Sequence, residues 1–567
     1  MSLWGPRTLS VAAALIAPFT LSAQTSGGTV GVDTASIARI FATVSAPDAP
    51  GCAVGIARSA EPVFLRGFGG GALEHGQPLT PTSAFNIGSM AKQFTAMAAL
   101  LLAQQGTLQL DAPVTRYITE WPASAGAIRV RDLLYHTSGL RDYNTLEVLT
   151  DSHVRTMSDF LDLMMRQRGL NFVPGTRQEY SHSDYSVLAA VIERATKAPF
   201  ADVLQRLLFT PLGMTSTTVH DQRRMPIRER AFAYNVDTDG ARTIFPQDEL
   251  VGGDNVYTTV GDLLRWDRNF TTATVGGADL VRRFTTLATV NVPQPMPYVH
   301  GLWLGAYRGL RTVARRGGGG GFSTSYFRVP DAAVTVATLC NTQHHRAELF
   351  SHAVIDAMLG AQLATVAPPD TVATPPDEAV QLAGRYRSAE QPWNPVILES
   401  RAGRLVEILP DSAAFPLTRL RDGRYATFDY SYTFRQLSGG GMHLTVQYPD
   451  GREDLVRQAE SPWRPTTVAL PSYAGNFVST ELDAMYTVRV AGTRLMLQRS
   501  GVREMVLEPL SPDLFAALSG TREAFLLGVR FTRGKDSRID GFTVGATPKS
   551  FESALGIRFA KVNMTQR

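Results

Sequence analysis

Lysine is scarce in this chain, with Lys92, Lys197, Lys535, Lys549 and Lys561 standing against 50 arginines. Cysteine is scarcer still. Two residues, Cys52 and Cys340, exclude a disulfide-stapled scaffold and a cysteine metal cluster. Beyond the N-terminus no apolar run reaches the ~18–20 residues that a membrane-spanning helix needs. Charge of one sign is also lacking: the formal balance is +4 over 567 residues. Without a basic run or a nucleic-acid motif, nucleic acid is excluded as a partner. His344-His345 has no further residues placed to complete a metal site. No metal and no organic cofactor is expected, and the expected partner is a small-molecule or peptide substrate.

What is present is a large apolar share, 44% of residues, enough to bury several cores. Residues 1–23 read as a signal peptide. Arg7 supplies the positive end, Ser10 to Leu21 is mostly apolar, and Leu21-Ser22-Ala23 precedes Gln24 as a small-residue cleavage site. Pro18 interrupts the run, which argues against an anchor. The chain is therefore expected in the periplasm or secreted. An oxidising compartment permits a bridge between Cys52 and Cys340, since both lie in strand-like runs.

Proline marks a joint. Residues 363–377, with Pro368, Pro369, Pro375 and Pro376, read as an extended linker. Residues 30–362 before it mix helix and strand. The segment from Gly51 to Phe68 reads as a strand pair, and 301–341 as three or four more strands, with mostly helix between. After the linker the pattern becomes short strands and turns, and it repeats. Ala383-Gly384-Arg385-Tyr386 recurs as Ala474-Gly475-Asn476-Phe477, and Leu417, Leu420 and Tyr425 recur as Leu507, Leu510 and Phe515. Two related β-barrels, over 378–463 and 468–565, account for this repetition. Closed barrels leave no sheet edge exposed.

One lysine stands in a distinctive place. Ser89-Met90-Ala91-Lys92 is an S-x-x-K pattern opening an Ala- and Leu-rich helix that stops at Gly106. Three residues make roughly one helical turn, so Lys92 shares a face with Ser89. An ammonium there lowers the cost of forming an alkoxide, and a desolvated lysine can act as a base. Arginine stays protonated and cannot do this. No other lysine in the sequence has a serine three residues before it.

Around this pattern, Phe85-Asn86-Ile87-Gly88 and Gln93-Phe94-Thr95 extend a segment that resembles the nucleophile motif of the class C β-lactamase and penicillin-binding-protein superfamily. Leu133-Leu134-Tyr135-His136-Thr137-Ser138-Gly139-Leu140 resembles another signature of that superfamily, in which His136 is expected to tie down a turn. The resemblance covers about residues 36–360. It implies an α+β fold: an antiparallel sheet flanked by helices with a helical insertion, here followed by the two small all-β barrels. The barrels look like the lipocalin-like modules of some D-aminopeptidases and esterases.

The resemblance also implies site residues. Glu179-Tyr180-Ser181-His182 matches the Y-x-N element, so Tyr180 would carry the proton between Ser89 and the leaving group. His182 stands where the family usually has asparagine, which speaks against efficient β-lactam turnover. Its imidazole, titrating near ~6.5 when unperturbed, suggests an activity that falls in acid. Arg315-Arg316-Gly317-Gly318 aligns with the K-T-G or H-x-G strand. Arg315 would supply the fixed cation and Gly317 the close approach, with Arg316 as the alternative cation in this glycine-loosened register. The N–H groups of Ser89 and Gly318 would form an oxyanion hole. The chemistry implied is a serine hydrolase working through an acyl-enzyme on esters or small D-amino-acid peptides. A β-lactamase or penicillin-binding carboxypeptidase is one alternative, and a binding or scaffold protein with a degraded site is another.

Overall fold

The computed structural model describes residues 33–562, apart from 123–125, 151, 247, 366–369, 409–413, 428–429, 449–450, 458–462, 500–503, 519–525 and 548–552. The expected signal peptide and the proline pair 368–369 lie outside the described residues.

Both ends of the first region build one sheet. Among the described residues its seven strands run in the order Tyr298–Val299, Leu302–Tyr307, Leu310–Gly319, Phe322–Val329, Val334–Cys340, Cys52–Arg58 and Glu61–Phe68. Every neighbouring pair is antiparallel. Cys52–Arg58 and Val334–Cys340 are buried almost throughout, because helices cover this part of the sheet. Val260–Thr272 packs on one face, where its Val260 and Leu264 meet Gly55, and Ala347–Leu359 packs on the other.

The helical insertion holds the Ser89–Lys92 segment. Lys92–Gln104 is buried from Lys92 to Leu102, so it serves as the central helix of the larger core. Within it, the Gln93 Oε1 accepts from the Trp266 indole N–H at 2.7 Å. The helix does not begin at Ser89 in regular α form. Gly88–Ala91 is a 3-10 turn that leads into it.

The repeat is visible in the C-terminal modules. Gly384–Arg387 lies between Val396–Arg401 and Gly451–Arg457, as Gly475–Ser479 lies between Ala484–Ala491 and Ala554–Val562. Tyr386 and Phe477, equivalent in sequence, are both buried in their module cores. The second module is a closed eight-stranded barrel. In the first, the edges of the hydrogen-bonded ladder are Ala414–Pro416 and Thr418–Arg419, separated by Leu417 alone. The chain itself thus joins the two edges. A helix, Pro376–Leu382, closes the first module and begins inside the segment expected to be linker.

Cys52 and Cys340 are cross-strand partners and form a disulfide across 288 residues of sequence. A bridge over so long a loop restricts the unfolded chain strongly. Thiol titration of the unfolded, unreduced protein is therefore expected to find none free. A C52S/C340S variant should unfold about 2–4 kcal/mol more easily in a denaturant titration.

Candidate active site

Three pieces of chain meet at the mouth of the Lys92–Gln104 helix. The Ser89 hydroxyl accepts from the Lys92 ammonium at 3.1 Å and from the Tyr180 phenol at 2.9 Å. Lys92 is fully buried and also donates to the Gly253 carbonyl at 3.1 Å, and its Nζ lies 3.5 Å from His182 Nδ1. The Arg315 guanidinium, 3% exposed, donates through Nη2 to the Tyr180 oxygen at 2.7 Å and through Nε to the Ser89 carbonyl at 3.0 Å. The structure therefore brings together Ser89, Lys92, Tyr180, His182 and Arg315. Arg316 points away and pairs with Glu348 at 2.9 Å on the exposed side, as alternation along a strand requires. Of the two arginines left open by the sequence, Arg315 faces the serine.

The glycines allow the strand to approach. A Cβ on Gly317 would sit 2.0 Å from the Ile87 carbonyl oxygen. Gly88 has φ +52°, and a Cβ there would strike the Gly318 backbone at 2.6 Å. The Gly318 backbone is thus held against the turn that carries Ser89.

The electrostatics centre on the phenol. Burial by itself would raise the Tyr180 pKa, but Arg315, Lys92 and His182 act against it and bring it down to about 7. Lys92 and Arg315 also lie over its ring, at 5.1 and 5.3 Å from the centroid. Arg315 remains charged, because the opposing cost of burial is exceeded by Tyr180 and the neighbouring phenols.

Several supporting residues carried no role in the sequence reading. Asp142 accepts from the His182 N–H at 2.6 Å and from the Ser181 hydroxyl at 3.2 Å, and so secures the start of helix His182–Thr196. Its position just before the Tyr143–Leu149 helix, where it caps the Asn144 N–H, was the available signal. His136 does tie down a turn: it has φ +57° and lies 2.8 Å from Asp184. Burial holds the imidazole well below and the carboxyl well above their usual ranges. The His136 ring packs 4.6 Å from that of Tyr180. Asp254 follows Gly253, and its Oδ2 lies 3.7 Å from where a Cβ would stand on Gly319. Burial raises its carboxyl, with Asp248 adding to the effect and Lys92 and His182 opposing it.

The chain has relatives of known family. The beta-lactamase family model matches residues 37–357, and the chain belongs to that family. Within it, the chain is similar to penicillin-binding protein 4* of Bacillus subtilis, 29% identical over 300 residues that cover 50% of this chain and 66% of the relative. It is also similar to D-aminopeptidase of Gluconobacter oxydans, 28% identical over 334 residues that cover 57% of this chain and 62% of the relative. The matches thus span less than two thirds of these relatives. In fold, the octameric penicillin-binding protein homologue from Pyrococcus abyssi covers 93% of this chain and 98% of its own at a TM-score of 0.51 and 16% identity. D-amino acid amidase from Ochrobactrum anthropi SV3, complexed with D-phenylalanine, covers 58% of this chain and 99% of its own, with a TM-score of 0.50 and 22% identity. Among the described residues, no group of three His, Cys, Asp or Glu side chains is placed to hold a metal ion.

The two arginines can be told apart spectroscopically. One tyrosine is expected to titrate near pH about 7 by ultraviolet difference absorbance. Y180F should remove that transition, R315A should move it upward, and R316A should leave it in place.

Proposed function

We propose that this chain is an exported serine hydrolase that works through an acyl-enzyme on Ser89 and takes amides and short peptides of D-amino acids. The observation that carries the reading is the Tyr180 oxygen, 2.9 Å from the Ser89 hydroxyl and 2.7 Å from Arg315. With a pKa of about 7, this phenol is half ionised near neutrality and can act as a base. Ser89 Oγ attacks the substrate carbonyl carbon as its proton passes to the Tyr180 phenolate. The N–H groups of Ser89 and Gly318 hold the oxyanion. Tyr180 then returns the proton to the leaving amine as the C–N bond breaks. Water attacks the resulting ester, giving the acid and restoring the Ser89 hydroxyl.

The substrate class draws on two supports. Relatives of the chain include D-aminopeptidases. Asp254, on the segment whose Gly253 carbonyl holds Lys92, offers a half-buried carboxylate to a substrate ammonium. Such an ammonium would relieve the cost of keeping that carboxylate charged. The hydrogen-bonded contacts among Ser89, Lys92, Tyr180 and Arg315 favour a working site over a vestigial one. Export is supported by the character of residues 1–23 and by the Cys52–Cys340 bridge.

A fluorophosphonate probe should label Ser89, and S89A should take no label. An unlabelled wild-type chain that also leaves D-amino-acid amides intact would overturn the assignment. Because the base form of Tyr180 is required, kcat/KM should rise through pH about 7 and fall on the acid side. Y180F should lose about 10²–10⁴ in rate. D254N should lower kcat/KM about ten- to a hundredfold for D-amino-acid p-nitroanilides with a free amine, the worth of a charged hydrogen bond. Their N-acetylated forms should be unaffected.

A further inference from the structure

The loop that carries Tyr180 has little backbone support of its own. It is neither helix nor strand up to Ser181. Its main-chain donors rest on His136: the Glu179 N–H reaches the His136 carbonyl at 2.9 Å, and the Ser181 N–H lies 3.3 Å from Nδ1. A phenol that must stand within hydrogen-bonding reach of a serine needs a firmer frame than this.

That frame includes a residue almost four hundred positions downstream. Ser553, 1% exposed, lies just before the last strand of the second barrel, Ala554–Val562. Its hydroxyl donates to Glu179 Oε1 and accepts from the Asn171 amide at 3.0 Å. Its carbonyl accepts from the Asp142 N–H at 3.0 Å and from Asn171 Nδ2 at 2.7 Å. The Leu555 N–H returns a bond to Asn171 Oδ1 at 2.9 Å, and the Leu555 carbonyl accepts from Arg141 Nε at 2.9 Å. A buried ion pair, Arg141 to Glu481 at 2.6 Å, fixes the register of this contact.

Both routes from Ser553 end at the site. One runs through Glu179 to the adjoining Tyr180. The other runs through Asp142, whose carboxylate holds Ser181 and His182. We infer that Ser553 is a positioning residue, and that the second barrel is a built part of the active site, setting the Tyr180–His182 segment against Ser89. The inference rests on the hydrolase reading only for its kinetic readout, since the placement of the phenol can be measured without turnover.

The groups facing the Tyr180 oxygen are Arg315, Lys92 and His182, and those facing the Glu179 carboxyl are Ser553, Arg177 and Asp142. Burial raises the Glu179 carboxyl to about 7, so the Ser553 hydroxyl supports its charged form. The experiment compares full-length wild type, S553A, E179A, S553A/E179A and Y486F. Tyr486 belongs to the same barrel, and its hydroxyl donates at 2.9 Å to the Leu149 carbonyl, which lies on the Tyr143–Leu149 helix and outside the Tyr180 loop.

S553A should lower kcat on a D-amino-acid p-nitroanilide about ten- to a hundredfold, with KM little changed. The tyrosine transition near about 7 should move upward in the same variant. The double variant should be about as impaired as E179A alone, because the two residues act in series. Y486F should lower the melting temperature yet keep wild-type kcat. Wild-type kcat together with an unmoved tyrosine transition in S553A would overturn the inference, as would an equal loss of kcat in Y486F. A wild-type chain that proves inactive and unlabelled would defeat the hydrolase reading instead, and the tyrosine transition in S553A would still decide the role of Ser553.

Discussion

A phenol held between two buried cations is the constraint on which the site depends. Arg315 and Lys92 both reach toward Tyr180, and neither has a carboxylate salt-bridge partner among the described residues. Removing such charges from water is costly, and the cost falls if the phenol ionises. The same interaction therefore relieves the buried cations and lowers the pKa of the phenol toward neutrality. Ser89 stands in contact with all of this through its hydroxyl and its carbonyl.

The fold serves that juxtaposition. A sheet whose central strands come from opposite ends of the first region holds Arg315 fixed, and a buried helix holds Lys92 fixed. The contact between them is backbone against backbone, Gly88 on Gly318 and Gly317 on Ile87, with the Thr324 hydroxyl donating to the same Ile87 carbonyl at 3.0 Å. Tyr180 alone comes from irregular chain, so its position is set by the residues around it. The His136–Asp184 pair and the Asp142 carboxylate brace this segment, and its own Glu179 reaches Ser553.

The second barrel belongs to this frame rather than hanging from it. Besides Ser553 and Leu555, its Leu482 carbonyl accepts from Thr150 at 2.5 Å, and Glu481 receives the Arg168 N–H at 2.7 Å. These contacts gather on the helical insertion that carries the Tyr180 loop. The first barrel touches the second through Trp393, whose ring leaves no room for a Cβ at Gly528 or Gly545. It touches the catalytic region through an exposed pair, Arg177 and Glu390, at 2.8 Å. Being exposed, that pair contributes little to stability.

By itself the sequence determined the family, the serine one turn ahead of a lysine, and the duplicated C-terminal modules, because these reside in local spacing. A serine three residues before the one lysine of an apolar helix, and a motif recurring 91 residues on, are carried by contiguous chain. Tertiary structure alone decided which arginine faces the serine, that Asp142 secures His182, and that a serine just before the final strand reaches Glu179. Arg315 and Arg316 differ only in the face of a strand, and five glycines left that register open. Asp142 and Ser553 lie hundreds of residues apart, and no local pattern marks a contact made only when a barrel docks on a helical insertion. Periodicity reports what a segment buries, whereas the partner it meets is set by how the segments pack.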